Sequence, residues 1–380
     1  MMRRTIFDED HDLYRRAVRE FIEKEITPHH DDWEAAGVVS REAWLAAGAG
    51  GHLCHSVAEE YGGAGVDDFR FPVVLNEELT KALASGPGFA VHSEMVVPYI
   101  QNHCSEEQKQ RWLPGCVDGS LITAVAMTEP GTGSDLAGIA TRAVRDGETY
   151  MLNGSKTFIS NGQLADLVIV VARTSDDPHR GLTLLVVERD MPGFERGRNL
   201  DKVGMKAQDT SELFFNDVKV PVANRIGEEG AGFFYLVAGL ERERMTIAVG
   251  AVAAAAEALK VTMEYVRERT AFGRPIGKFQ NSRFELAEMV TEIQIAQVFV
   301  DHCTMELVEG RLTADTAAMA KWWTTELQLR VIDRGVQLHG GYGYMTEYPI
   351  ARMYADSRAQ TIYGGTTEIM KELIGRGLGL

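Results

Sequence analysis

The segment Glu241-Arg242-Glu243-Arg244 places four charges between Ala231–Leu240 and Met245–Ala256, two runs that are apolar or small all round. Such a pattern predicts a helix buried on most faces. Charged side chains are seldom buried unless they are paired or do chemistry. Burial raises the pKa of a carboxylate, and one poised near neutrality suits a general base. Glu243 and Glu241 are the candidates. Two positions apart on a helix they point about 200° away from each other, so both cannot face one reacting centre. The competing reading is two helical ion pairs at the surface of a subunit contact.

Other segments offer binding chemistry. Thr128-Glu-Pro-Gly-Thr-Gly-Ser-Asp135 is a glycine-rich loop whose backbone can approach a phosphate or the edge of a planar ring. Its glycines do not fit the dinucleotide fingerprint, and no strand-to-helix unit surrounds it, so by itself it reads as a turn. Arg269 follows a predicted helix and precedes Phe272-Gly273. It suits a pyrophosphate through paired charge-assisted bonds, or it is a helix C-terminal cation worth under about 1 kcal/mol. In Gln360–Met370 a Gly364-Gly365 turn leads into a Thr/Glu helix start.

The elements that carry these groups fall into three stretches. From about residue 8 to 118 the pattern is helical. Leu13–Ile26 is amphipathic through Tyr14, Val18, Phe21 and Ile22, Phe71–Leu83 is helical, and Ser105 with Glu106-Glu107 opens another helix. Beyond Ile122, the runs 168–172, 182–187 and 213–220 are rich in β-formers and bounded by Gly, Pro and Asp. From Phe233 helices return: one through the four charges to about Glu268, then others near 279–309 and 313–338. The expected fold class is α+β and multi-domain. It has an N-terminal all-α domain (1–121), a middle β domain of barrel or sandwich type (122–232) and a C-terminal α-helical domain (233–380).

Several segments, in this order and spacing, resemble the acyl-CoA dehydrogenase family over nearly the whole chain, most of all its long-chain branch. They are Ser85–Ser93, Ala126–Asp135, Asn153–Gly162, Arg267–Gly277, Gln337–Gly343 and Ile362–Ile374. Many members carry the catalytic glutamate in the last loop, where this chain has Gly364. The long-chain and isovaleryl branches carry it on the buried helix, where this chain has Glu243. The resemblance implies a C-terminal four-helix bundle, an FAD cofactor and dehydrogenation of an acyl-CoA to a trans-2-enoyl-CoA in fatty-acid β-oxidation. Glu243 would take the α-proton as hydride passes from Cβ to flavin N5, and the Gly364 N–H would bond the thioester oxygen, leaving room for the acyl chain and the base.

Further residue roles follow from the resemblance. Met127, Thr128, Gly133 and Ser134 would meet the flavin, Ser134 also lying near CoA. Phe158 and Ser160 would stack on the ring and bond near N5, standing where tryptophan and threonine are common. Arg269, Phe272 and Gln280, with Gln337, Gly340 and Gly341, would hold FAD across a subunit boundary, and Thr366 and Glu368 would complete its site. Arg244 and Tyr363 would line the substrate site. Pro87 and Val91 would close the far end of the acyl pocket. Medium-chain relatives have larger polar groups there, and with Gly86 and Gly88 this implies a deeper apolar pocket. An electron-transfer flavoprotein would be the acceptor and a homotetramer the assembly. An acyl-CoA oxidase, a short- or branched-chain enzyme and a non-catalytic flavoprotein on the same scaffold are the alternatives.

The composition is that of a folded protein: 380 residues, 45% hydrophobic, 25% charged. A net charge of −16 argues against nucleic acid and anionic membranes as partners. Cys54, Cys104, Cys116 and Cys303 lack disulfide or zinc spacing. His29 and His30, and His52 with Cys54 and His55, read as structural or surface groups, so no metal is expected. The start Met1–Asp10 has no apolar core after its arginines, and no run of about 20 apolar residues is expected to span a bilayer. A cytoplasmic protein is the simplest reading.

Overall fold

Helix-forming and strand-forming stretches segregate along the chain, and the fold keeps that order. The computed structural model describes residues 2–177 and 180–379. Six helices come first: α1 (Glu9–Phe21), α2 (His30–Ala36), α3 (Arg41–Ala49), α4 (Arg70–Lys81), α5 (Val97–His103) and α6 (Glu106–Val117). The start signal at Ser105 is a reciprocal capping box. Its hydroxyl accepts from the Gln108 N–H at 3.3 Å, and the Gln108 side chain accepts from the Ser105 N–H at 2.8 Å. A π turn, Val91–Val96, leads directly into α5.

The sheet follows: β1 (Thr123–Ala126), β2 (Arg142–Asp146), β3 (Thr149–Ser160), β4 (Leu167–Arg173), β5 (Leu182–Glu188), β6 (Phe194–Asn199), β7 (Thr210–Pro221) and β8 (Arg225–Ile226). Its order is β6-β7-β3-β2-β4-β5-β8, with β1 parallel to β4. Alternate residues of β4 serve two cores. Leu167, Ile169 and Val171 join the N-terminal helices, whereas Val168, Val170 and Ala172 join the sheet's own core with Leu152, Leu185 and Leu213. Burial on both faces explains why this strand reads as an unbroken apolar run.

The last part holds α7 (Gly232–Ala238), α8 (Leu240–Glu268), two short strands β9 (Thr270–Ala271) and β10 (Arg274–Pro275), α9 (Gln280–Val308), α10 (Ala314–His339), α11 (Pro349–Ser357) and α12 (Thr367–Gly377). Helices α8, α9 and α10 pack on one another and α12 packs on α10. Their core contains Met245, Val249, Met289, Ile293, Leu327 and Val331. The α+β architecture expected from the sequence is therefore present. The two helical parts are tied by Arg4, which donates to Asp301 on α9 at 2.9 and 2.7 Å and pairs with Glu77 on α4.

Two readings change. The helix expected from Phe233 to Glu268 turns at Gly239, a residue of low helix propensity, so the four charges occupy the first turn of α8 rather than mid-helix. By length and hydropathy the run Gly232–Glu268 could also cross a bilayer, contrary to expectation, yet 78% of its most apolar window is buried inside the protein. Its apolarity serves the core: Ala248, Ala251, Ala255 and Ala258 are fully buried.

Candidate active site

The four charges take different surroundings. Arg242 points to the π turn, donating to Glu94 at 2.8 Å and to Asp67 at 3.3 Å. Glu243 points inward and is 6% exposed. Its Oε1 accepts a hydrogen bond from the Tyr99 phenol at 3.0 Å. Burial pushes the Glu243 carboxyl up to about 7, while the Tyr99 hydrogen bond and the Arg244 cation act the other way. Arg244 is 4% exposed, and its Nε has no hydrogen-bond partner among the described residues. Glu241 is only partly buried. Of the two candidate glutamates, Glu243 is the buried one.

Gly364 lies against the same face of α8. A Cβ there would come 2.3 Å from Cδ1 of Ile247, one helical turn beyond Glu243. Gly364 has φ +63° and Gly365 +95°, a backbone that side chains rarely allow. A side chain at 364 would therefore have to displace the end of Ile247. Lys321 on α10, fully buried, donates from Nζ to the Gly365 carbonyl at 2.6 Å and anchors the loop. Tyr363 is 38% exposed. Thr366 caps α12 by accepting from the Ile369 N–H at 3.3 Å. With Glu368 it lines a groove of 320 Å³.

The Met127–Ser134 loop is fastened to the end of β3. Buried Lys156 donates to the Met127 carbonyl and to Glu129 Oε1, both at 2.9 Å. Glu129 also accepts from the N–H groups of Ala140 at 2.8 Å and Thr141 at 2.9 Å. The Thr157 N–H donates to the Thr128 carbonyl at 2.9 Å. Met127, Thr128, Phe158 and Ser160 are thereby brought together. Phe158 is left 66% exposed at φ +60°. A Cβ at Gly133 would meet nothing within 4 Å, and Ser134 is exposed.

A second surface carries the remaining candidates. Arg269, Gln337, Gly340 and Gly341 line an open groove of 570 Å³ with Tyr265 and Tyr342. The Arg269 guanidinium lies 5.7 Å from the centre of the Tyr342 ring. Phe272, at φ +51°, is 95% exposed, and Gln280 is exposed at the start of α9. Among the described residues, no hydrogen bond, ion pair or ring contact joins this surface to the Met127–Ser160 one.

The acyl-pocket segment departs from expectation. Pro87 and Val91 are half-buried. Gly86 and Gly88 do not widen a cavity. A Cβ at Gly88 would lie 2.0 Å from Asn161 Oδ1, and one at Gly86 2.6 Å from the Ala207 Cβ. Both glycines allow close packing. His30, with Asp31 and Glu34, has ligand-like spacing. Its Nε2 however accepts from the Gly86 N–H at 3.1 Å, and Arg352 pairs with both carboxylates. His55 Nε2 bonds the Tyr14 hydroxyl at 2.8 Å, a structural role. All four cysteines are free.

Sequence reasoning missed Tyr99, Lys156, Glu129 and Lys321. Lys156 and Glu129 lie inside segments already singled out, but Lys156 stands between Ser155 and Thr157, polar neighbours that hide its burial. Tyr99 sits in an apolar run and gave none.

A buried carboxyl group near neutrality, beside a glycine-bearing loop and two open surfaces that carry glycines, gives this helix–sheet–helix scaffold a candidate proton-transfer site with room for a ligand. Three family profiles fit it: Acyl-CoA dehydrogenase, N-terminal domain at residues 8–120, middle domain at 124–218 and C-terminal domain at 230–379. The chain is 50% identical over 376 residues to the mitochondrial long-chain specific acyl-CoA dehydrogenase of Sus scrofa, spanning 98% of this chain and 87% of that one. It is 34% identical to the mitochondrial isovaleryl-CoA dehydrogenase of Pongo abelii, over 95% and 87% of the two chains. The solved acyl-CoA dehydrogenase of Geobacillus kaustophilus superposes with a TM-score of 0.97 at 51% identity, covering 100% of both chains. A glutaryl-CoA dehydrogenase from Mycobacterium smegmatis, solved in complex with FADH2, superposes at 0.90 with 28% identity over 98% and 95%. The chain belongs to the acyl-CoA dehydrogenase family and is an FAD-dependent oxidoreductase.

The residues present fit that cofactor. Gly133 and Gly341 have open space where a Cβ would stand, so the chain's own packing does not require them to be glycine, whereas Gly340 is also favoured by its φ of +59°. An exposed aromatic ring and a guanidinium stand beside these openings. A flat ring system and a pyrophosphate have complementary shape and charge.

Proposed function

We propose that this enzyme dehydrogenates long-chain acyl-CoA thioesters, with Glu243 as the base that removes the α-proton. The observation that carries this reading is the buried Glu243 carboxyl group, tuned to about 7 and set beside the Gly364 loop. A base of that pKa is ionised at working pH yet holds a proton readily. FAD, when bound, supplies the acceptor for the β-hydride. Burial of Glu243 excludes bulk water from the proton's path. The Gly364 N–H is assigned to the thioester oxygen, where one lost donor typically costs about 3 kcal/mol. Arg244 is assigned to the substrate's polar portion, and its unpartnered Nε supports that role.

Met127, Thr128, Ser134, Phe158 and Ser160 are assigned to the flavin end of FAD. Arg269, Phe272, Gln280, Gln337, Gly340 and Gly341 are assigned to the remainder, contributed to a neighbouring copy's site. The separation of the two surfaces supports a site shared between chains. So do the exposed apolar side chains Phe284, Ile295 and Val298 on α9. A homotetramer, an electron-transfer flavoprotein as acceptor and a cytoplasmic location complete the proposal. Fifty per cent identity to a long-chain enzyme, against 34% to an isovaleryl enzyme, supports the substrate class.

The test is anaerobic mixing of the yellow holoenzyme with palmitoyl-CoA. Bleaching of the flavin in wild type and Glu241→Gln, with loss in Glu243→Gln, is expected. Bleaching that survives Glu243→Gln refutes the base. Bleaching by isovaleryl-CoA but not palmitoyl-CoA refutes the chain-length reading.

A further inference from the structure

Tyr99 and Glu243 are 144 positions apart, yet they meet in a buried hydrogen bond that the chemistry described so far does not use. Three features of the backbone arrange it. The π turn Val91–Val96 precedes the short helix bearing Tyr99. A π turn holds one extra residue, so an ordinary helical continuation would swing Tyr99 by about 100°. Gly239, where α7 gives way to α8, roofs the bond. A Cβ there would stand 3.6 Å from both Glu243 Oε1 and the Tyr99 hydroxyl. The first turn of α8 then directs Glu243 at the phenol.

We propose that Tyr99 is the positioning residue for Glu243: its phenol fixes Oε1, leaving Oε2 to receive the substrate's α-proton. This rests on Glu243 being the base. The bond gives the carboxylate one orientation rather than a spread of rotamers. It also favours the charged form against burial, keeping a working fraction ionised near neutrality. The other charged groups nearby are arranged around this pair. Arg244 adjoins Glu243 on α8, and Lys321 of α10 is close enough to Arg244 to feel its charge. Glu94 of the π turn is matched by Arg242. Tyr99 is thus the group from another element that bonds the base directly.

The experiment is an infrared titration of the resting holoenzyme, with the Glu243 carboxyl band identified by its loss in Glu243→Gln. It is paired with the pH dependence of flavin reduction by palmitoyl-CoA. In Tyr99→Phe the band's midpoint is expected to rise by about one unit, the effect of one charge-assisted hydrogen bond. The acid limb of the reduction rate should rise with it, giving about a tenfold slower reaction one unit below the wild-type midpoint. A second variant carrying 3-fluorotyrosine at position 99, a more acidic donor, should move the midpoint the opposite way. It also serves if Tyr99→Phe fails to fold. Midpoints that stay put in the folded variants overturn the inference while leaving the base intact. If flavin reduction survives Glu243→Gln, the base reading fails instead, and the infrared titration still tests the Tyr99 contact by itself.

Discussion

Replacing Glu243, the proposed base, should make the protein more stable at high pH and less stable at low pH. Glu243 is 6% exposed, and burial raises its pKa from 4.5 to about 7. Between those values the folded chain keeps a proton that the unfolded chain has released. Stability from this group is therefore full below the unfolded value and declines as pH rises through the folded one. At about 1.4 kcal/mol per unit, the ionised carboxylate weakens the fold by roughly 3 kcal/mol near pH 8. Gln is free of that penalty but leaves a buried amide incompletely bonded, at about 1 kcal/mol at any pH. Glu243→Gln is thus expected to be about 2 kcal/mol more stable than wild type near pH 8 and about 1 kcal/mol less stable near pH 4.5. Thermal midpoints of both proteins, at equal concentration and saturating FAD, read the difference as a few degrees that change sign with pH. A gap that stays constant across this range refutes the claim that burial holds the carboxyl up.

Four more perturbations probe the surroundings. Lys156→Met strands Glu129 and the Met127 carbonyl. It should lower stability by about 3 kcal/mol and weaken FAD retention, measured by flavin fluorescence after dilution. Glu78, 4% exposed, is opposed by burial but bonded by Arg19, Lys81 and Arg15, which together hold it down to about 2. Its contribution is present above 4.5, is lost as pH falls through about 2, and is reduced because Arg19 and Lys81 are partly solvated. Glu78→Gln should therefore unfold about 2 kcal/mol more easily at neutral pH, with acid titration of the melting point showing the gap close. Gly88→Ala should destabilise by about 2 kcal/mol through the clash with Asn161, without altering the ranking of acyl-chain lengths. Val91→Gln should shift that ranking toward shorter chains, as rates across a thioester series will show.

Local signals carried much of the fold into the sequence. The strong helix formers near 279–309 and 313–338, free of interior proline, became α9 and α10, and the Ser105 cap stands where its side chain can bond back. The β4 run was legible because both its faces are buried. The turn at Gly239 was not, since a single glycine in an alanine-rich helix is tolerated as often as it breaks one. Gly86 and Gly88 were read as space because their neighbours, Asn161 and Ala207, arrive from distant strands and loops. The same non-locality hid Tyr99. Glu243 was legible because a charge in an apolar run is locally anomalous, whereas a tyrosine there is ordinary.

The strands by which the chain enters and leaves the sheet, β1 and β8, pair with the adjacent strands β4 and β5. The sheet is therefore threaded like an insertion into one helical body, whose separated halves are already joined through Arg4, Glu77 and Asp301. Hairpin tips such as the one at Gly147 between β2 and β3, where a Cβ would meet nothing within 4 Å, can accumulate change without moving Glu243 relative to Tyr99. The scaffold leaves evolution free to vary the outer sheet while the Tyr99–Glu243 contact stays inherited.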